Sequence, residues 1–430
     1  MRQYLSAEEY ISEVQSHIRW KRARKIATLE LADHIEDRKE ALMANGLDED
    51  AAMSASIADM GNPRTIGMQL DEVYQPKVNF LLIELTAAFL ILGTGISYLS
   101  GNILHINQIA AILIGVCLTV FFYFWDYTVM LRHPLTIYFT HTLVTVVLLI
   151  FEARNGFETI GYSYTFYFLI LFPISLTVIF TYVKKKYKQF GLLIFSCYSL
   201  VPFFVAFLLS SLPAMVIILS TYMILVCFGL HKHCFSLSLT EIVILFCLSS
   251  VVVIGMWFTY TIFRLKSPFI NTGDDFVRKI IFDTVRLSKL SGSSDFCIIY
   301  DKEEFLKENY PFVLILNKYG YFGVGCVIAL FVGLLTIMFY TAGKQKTEIG
   351  KMTAGVTSFI ISFQLFCSII CNFWYLGSMS VCIPFLFSGG VFTVVDLILI
   401  GLVLSVSRHE EIVREWIQYK ERKNRYEQNF

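Results

Sequence analysis

The sequence predicts an all-α, polytopic membrane protein with about ten transmembrane helices, preceded by a small cytoplasmic helical domain. Hydrophobic residues make up 56% of the 430 residues and the mean hydropathy is +0.62, which is too apolar for a soluble domain of this length. These residues lie in long uninterrupted stretches, whereas the N-terminal part is polar. The formal net charge of +1 argues against nucleic acid as a partner.

Residues 1–77 have the pattern of a separate helical domain. Ser6 and Glu9 have the spacing of a capping box, and apolar residues then recur at helical intervals. Asn45-Gly46 and Gly61-Asn62-Pro63 mark helix ends, so the pattern predicts four helices. The segments HIEDRKEAL and DMGNPRTIGMQL resemble the permease prefix domain that precedes several kinds of membrane protein in Gram-positive bacteria. That resemblance implies no particular chemistry.

Residues 78–407 form the predicted membrane domain, in which the apolar stretches are long enough to cross a hydrocarbon core of ~30 Å. The predicted spans are 79–98, 106–130, 134–151, 162–183, 189–209, 211–230, 239–263, 312–340, 353–373 and 380–406. Most of the ten cysteines lie inside these spans, where they act as small hydrophobes rather than as a disulfide framework.

The distribution of basic residues predicts the orientation. Lys, Arg and His gather in alternate loops and in the tail, at Arg132-His133, Lys184–Lys188, His231–His233, Lys344–Lys351 and Arg408–Arg425. The opposite loops near Ser100 and Ser210 carry no Lys or Arg. The positive-inside rule therefore places both termini in the cytoplasm.

Two segments outside the spans are amphipathic. The loop 264–311 is long and charge-balanced, and its central part has the pattern of a helix lying at the outer membrane surface. The tail 408–430 repeats this pattern on the cytoplasmic side. A loop of this length in a compact membrane protein is usually functional or disordered.

The last span contains a break at Pro384–Gly390. Proline lacks an amide donor and paired glycines have low helix propensity, so a continuous helix is unfavourable there. In hydrocarbon, backbone groups freed by such a break must be satisfied by protein or by a polar cavity. One interpretation is a kinked helix lining a ligand groove. The other is a helix boundary whose glycines allow close packing.

The C-terminal part of the chain resembles the FtsW/RodA/SpoVE family. Gln364, the break with Pro384, Phe385, Gly389 and Gly390, and the ending Leu404–Arg408 are similar to the family's Gln, PFISYGG and LSISR motifs. Asn317–Gly323 is similar to the start of the family's eighth span. The resemblance covers about 350 residues, weakly in the first half and well after residue 310.

The resemblance implies a peptidoglycan glycosyltransferase of the bacterial cell membrane, acting in cell division, elongation or sporulation. The implied substrate is a lipid-linked disaccharide-pentapeptide held in the membrane lipid, and the implied partner is a single-pass transpeptidase (a penicillin-binding protein). Substrate-binding residues are expected along the break and beside it, at Gln364, Pro384, Phe385, Ser388, Gly389, Gly390 and Asp396. No cofactor is assigned, although a divalent cation can accompany the substrate diphosphate.

Glycosyl transfer needs a carboxylate base for the acceptor hydroxyl and cations for the leaving diphosphate. The family's catalytic Asp precedes the eighth span. Ungapped counting from that span places Asn309 at its position, and an amide cannot act as a base. A second register matches Ser294-Asp295-Phe296 and makes Asp295 the base. Arg278, Lys279 and Arg286 are the candidate cations, or simply charges flanking an interfacial helix.

Losses at several family positions leave enzymatic activity open. Asn309 is one, and Phe387-Ser388 replaces the family's Ser-Tyr order. The alternatives are a non-catalytic scaffold or regulator of a cell-wall complex, or an ion-coupled or passive transporter. A transporter would use intramembrane polar residues such as Glu84, His141 and Asp396. Interhelical hydrogen bonding is the other interpretation of His141.

Overall fold

The structure is a computed structural model, and all the regular structure of its described residues is helical. The described residues are 6–76, 78–99, 106–155, 164–187, 190–209, 211–232, 234–235, 251, 254–255, 258, 270–294, 310–374, 381, 383–386 and 390–428. Only the backbone is described at 22, 96–99, 106–107, 155, 270–277, 374 and 410–428. The chain divides into two compact units.

The first unit comprises Met1–Val78, Gln345–Thr347 and Ser407–Phe430. Its N-terminal helices are α1 (Ala7–Ser16), α2 (Lys21–Ala44), α3 (Glu49–Met60) and α4 (Pro63–Tyr74). The Ser6 hydroxyl caps α1 by accepting from the Glu9 amide at 3.2 Å, as the capping-box spacing predicts. Apolar side chains from all four helices, among them Tyr10, Val14, Ile26, Ile57 and Tyr74, form one core.

The second unit comprises Asn79–Lys344 and Glu348–Val406 and contains the apolar helices. Its helices are α5 (Phe80–Leu99), α6 (Ile106–Phe124), α7 (Val129–Arg132), α8 (Pro134–Asn155), α9 (Tyr164–Lys186), α10 (Gly191–Leu208), α11 (Leu212–His231), α12 (Ile270–Leu287), α13 (Pro311–Lys344), α14 (Glu348–Trp374) and α15 (Gly390–Gln428), the last running on into the first unit.

Seven of the described helices are long and apolar enough to cross a membrane, and α5 and α6 contain shorter apolar stretches. These helices correspond to the predicted spans, except that the predicted span 239–263 lies almost wholly outside the described residues. The second span is shorter than predicted. Asp126 accepts hydrogen bonds from the amide and hydroxyl of Thr128, which forms a local turn after Phe124 in place of further helix.

Helix α9 lies at the centre of the second unit, packs against α8, α10, α11 and α14, and is mostly buried. His141 of α8 joins it through both ring nitrogens. Nδ1 lies 2.6 Å from the Ser175 hydroxyl and Nε2 lies 3.0 Å from the Phe168 carbonyl oxygen. The ring also stacks on Phe172 at 4.0 Å. The predicted interhelical hydrogen bonding of His141 is confirmed.

Candidate active site

The first part of the site is a kink in α13, at the segment that resembles the family's eighth span. Gly320 has φ 71° and ψ −171°, which is not helical, so the amides that follow lose their partners within the helix. The segment after α12 replaces those partners. The Lys289 carbonyl accepts from the Tyr321 amide at 3.2 Å, and the Leu290 carbonyl accepts from the Phe322 amide at 2.9 Å.

The same segment is held further along by Asn317. The Ser294 amide donates to the Asn317 carbonyl at 2.8 Å, and the Ser294 hydroxyl donates to the Asn317 side-chain oxygen. The Tyr321 hydroxyl adds a bond to the Val285 carbonyl at 2.7 Å. The chain is therefore fixed on the kinked helix up to Ser294, the residue directly before Asp295 in the sequence.

The start of α13 is capped by a residue that sequence reasoning missed. The Asn372 side-chain oxygen, on α14, accepts from the amides of Phe312 and Val313 at 2.9 and 3.3 Å. Its nitrogen donates to the Ser368 carbonyl at 2.7 Å. The only signal in the sequence was an Asn in an apolar span, where a polar side chain needs a buried partner.

Helix α12 packs beside this cap. Ile280 and Ile281 are buried against Tyr310 and Val313. The three candidate cations, Arg278, Lys279 and Arg286, lie on the same helix and are exposed. One side of α12 is thus apolar and buried, and the other is charged and exposed. This confirms the amphipathic character predicted for this part of the loop.

The second part of the site is the break before α15. Pro384, Phe385 and Leu386 are buried, and Phe385 adopts a left-handed conformation with φ 62°. The Leu386 amide donates to the Pro384 carbonyl at 2.8 Å in a tight turn. Gly390 is the first residue of α15. The chain is thus not helical at Pro384, Phe385 and Leu386, as the proline predicts.

Two fully buried polar side chains lie under the break. The Asp396 carboxyl accepts from the Phe385 amide at 3.3 Å, and Gln364 of α14 lies beside that carboxyl. Both were predicted to bind substrate. In the described part of the chain, Asp396 Oδ1 and both amide atoms of Gln364 are buried and have no hydrogen-bond partner. The structure therefore places them behind the turn, with no exposed surface of their own.

The remaining predicted site residues lie outside the described residues. They are Asp295, Asn309, Ser388 and Gly389. Among the described residues, no three His, Cys, Asp or Glu side chains lie close enough together to hold a metal ion.

Residues 302–412, which contain α13, α14 and the start of α15, match the family model FtsW/RodA/SpoVE, described as a cell cycle protein. This C-terminal part of the chain is therefore similar to the FtsW/RodA/SpoVE family. The match includes the kink at Gly320, the break and Asp396. No curated protein sequence matches the chain significantly.

Solved structures share the fold of this chain. Rod shape determining protein RodA of Thermus thermophilus covers 77% of this chain and 97% of its own, with a TM-score of 0.55 and 16% identity. An aspartate-to-alanine variant of that protein matches with a TM-score of 0.55 and 15% identity, covering 77% of this chain and 98% of its own. A structure of a peptidoglycan synthase complex matches with a TM-score of 0.58 and 16% identity over the same shares. At these identities the likeness establishes the fold.

Proposed function

We propose that this protein works in bacterial cell-wall synthesis as a peptidoglycan glycosyltransferase of the cell membrane. Its substrate would be a lipid-linked disaccharide-pentapeptide, and its product a lengthened glycan strand. The observation that carries the proposal is the family match over residues 302–412 within a RodA-like fold. The apolar helices provide the membrane location that such a substrate requires.

In the proposed reaction the acceptor hydroxyl attacks the anomeric carbon of the donor sugar. A carbon–oxygen bond forms, the bond to the lipid diphosphate breaks, and a base takes the hydroxyl proton. We assign Asp295 as this base in preference to the Asn309 position. The docking of Lys289–Ser294 on the kinked α13 supports this choice, because it holds the chain up to the residue before Asp295.

The leaving diphosphate carries negative charge that cations would stabilise. Arg278, Lys279 and Arg286 are exposed on α12, and the buried face of this helix packs against the start of α13. The docked segment Lys289–Ser294 follows this helix directly in the sequence. We propose that one or more of these three side chains contact the diphosphate.

The proposed orientation places both chain termini in the cytoplasm. Helix α9 ends in Lys184–Lys186 and α13 ends in Lys344, so basic residues collect at the predicted cytoplasmic ends. A structural relative was solved in a peptidoglycan synthase complex that coordinates polymerization and crosslinking. By analogy, the proposed partner is a single-pass transpeptidase.

The proposal is tested by incubating the purified full chain, alone and with candidate transpeptidases of this class, with fluorescent lipid-linked precursor in proteoliposomes. We expect glycan strands resolvable by gel electrophoresis. The matched comparison is Asp295→Asn against Asp301→Asn, two substitutions of the same kind in one loop. Absence of glycan with every partner would contradict the polymerase assignment.

One observation favours a scaffold as the second candidate. Pro384, Phe385 and Leu386, predicted to line a substrate groove, are buried in the structure. A protein that only holds a cell-wall partner needs no groove there. Binding of a transpeptidase without glycan formation would support this function. Transport through His141 is less well supported, because both its ring nitrogens are engaged between α8 and α9.

A further inference from the structure

The turn at the break is held from one side by a buried carboxyl. Phe385 has a left-handed backbone, which costs free energy for any residue with a side chain. Its amide, freed from helical bonding by the break, donates to Asp396 Oδ2 at 3.3 Å. In a membrane-spanning unit an amide without such an acceptor is strongly unfavourable. Asp396 thus stabilises the unusual conformation directly.

The turn is held from the other side by α5. A Cβ at Gly93 would lie 2.7 Å from the Phe385 carbonyl oxygen and 2.8 Å from that of Leu386. The Phe385 ring centre lies 6.1 Å from that of Phe89, on the same helix. The backbone of the turn is therefore confined between a helix surface and the Asp396 carboxyl.

Gln364 is the third group that lies around the turn at Phe385, after Asp396 and α5. It is fully buried beside the Asp396 carboxyl, and within the described residues neither its amide atoms nor Asp396 Oδ1 has a hydrogen-bond partner. Buried polar atoms without partners are rare because they cost free energy. An amide carries two donors and one acceptor, so Gln364 has the complementary chemistry for Oδ1.

The geometry points to Asp396 and Gln364 as positioning residues that hold the turn at Phe385. Asp396 fixes the Phe385 amide, and Gln364, buried beside the carboxyl, supplies the donors that would orient it. Neither contacts substrate, in contrast to the substrate-binding roles predicted from sequence. The consequence for turnover rests on the proposed glycosyltransferase function, whereas the holding of the turn does not.

The holding of the turn is tested by hydrogen–deuterium exchange of the purified full chain, read on a peptide containing Phe385. Asp396→Asn keeps an acceptor for the Phe385 amide and adds a donor for Gln364, so we expect exchange as in the parent protein. Asp396→Leu removes the acceptor, and we expect exchange about tenfold faster or more. Ser405→Ala is the control. Ser405 lies on α15, as Asp396 does, and its hydroxyl donates to the Trp125 carbonyl. Its removal should leave the exchange of the Phe385 peptide unchanged.

Gln364→Met provides a second variant that retains side-chain length, in case Asp396→Leu does not fold. We expect exchange between that of the parent and that expected for Asp396→Leu. Parent-like exchange in both Asp396→Leu and Gln364→Met would overturn the proposal. So would equally fast exchange in Asp396→Asn and Asp396→Leu, because a neutral acceptor would then not suffice.

Turnover distinguishes positioning from substrate contact. With lipid-linked precursor, Asp396→Leu should lower kcat by up to about a hundredfold, as expected for a misplaced site, and leave KM unchanged. Asp396→Asn should retain activity. A raised KM with unchanged kcat would instead show direct substrate binding. If the parent protein makes no glycan, the proposed function fails, while the exchange measurement still decides whether the pair holds the turn.

Discussion

Gly320 and Lys289 are in direct backbone contact: a Cβ at position 320 would lie 2.5 Å from the Lys289 carbonyl oxygen. That oxygen also accepts from the Tyr321 amide. Gly320 therefore serves two purposes. It permits the positive φ of the kink, and it leaves room for the segment that ends at Ser294 to pack against α13.

Gly320→Ala should displace this segment. The positive φ alone costs about 1–3 kcal/mol for a residue with a side chain, and the close contact adds to that cost. We expect a lower apparent Tm and, if the protein polymerises glycan, a large loss of kcat. Gly325→Ala on the same helix has open space around its Cβ and is the matched control. Equal Tm values for the two variants would contradict the contact.

Gly93→Ala should weaken the packing of α5 on the break. The new methyl group would lie 2.7 Å from the Phe385 carbonyl oxygen, a backbone atom that cannot rotate away. Overpacking of this kind typically costs about 1–3 kcal/mol. Thermal unfolding of the detergent-purified protein measures it. Gly95→Ala lies on the same helix with nothing within 4 Å of its Cβ, so it should unfold as the parent protein does.

Asn372→Leu should destabilise the start of α13. The substitution leaves the Phe312 amide buried without its acceptor, at a cost of about 1–3 kcal/mol, whereas the Val313 amide still donates to the Tyr310 carbonyl at 3.1 Å. Ser362→Ala is the control, because that hydroxyl bonds only within α14, to the Ser358 carbonyl, in the contacts described for it. An unchanged Tm for Asn372→Leu would show that the cap contributes little.

Local features of the structure could be predicted from the sequence. The Ser6 cap depends on residues three apart, and the helix that begins at Pro63 follows an Asn62 cap. The apolar spans were also predictable, because a membrane-crossing helix needs a long apolar stretch. The helix end at Phe124 was not, because the Asp126–Thr128 turn competes with an otherwise apolar pattern.

The site was only partly predictable because its contacts join distant parts of the chain. Gly320 was recognised within a motif, but its role as a docking position for Lys289 depends on a segment about 30 residues away. The sequence does not indicate which amides the Asn372 side chain caps, because they lie about 60 residues away along the chain. Asp396 was recognised as a buried ionisable group, whereas its bond to Phe385 depends on the turn between them.

The most direct measurement is glycan polymerisation by the reconstituted chain with the proposed transpeptidase partner, compared between Asp295→Asn and Asp301→Asn. Asp295→Asn keeps the size of the side chain and removes the base, so we expect glycan formation to fall by at least about 10²-fold, the lower range of general-base contributions. Asp301→Asn should polymerise as the parent protein does. Unchanged glycan formation by Asp295→Asn would contradict the assignment of Asp295 as the catalytic base.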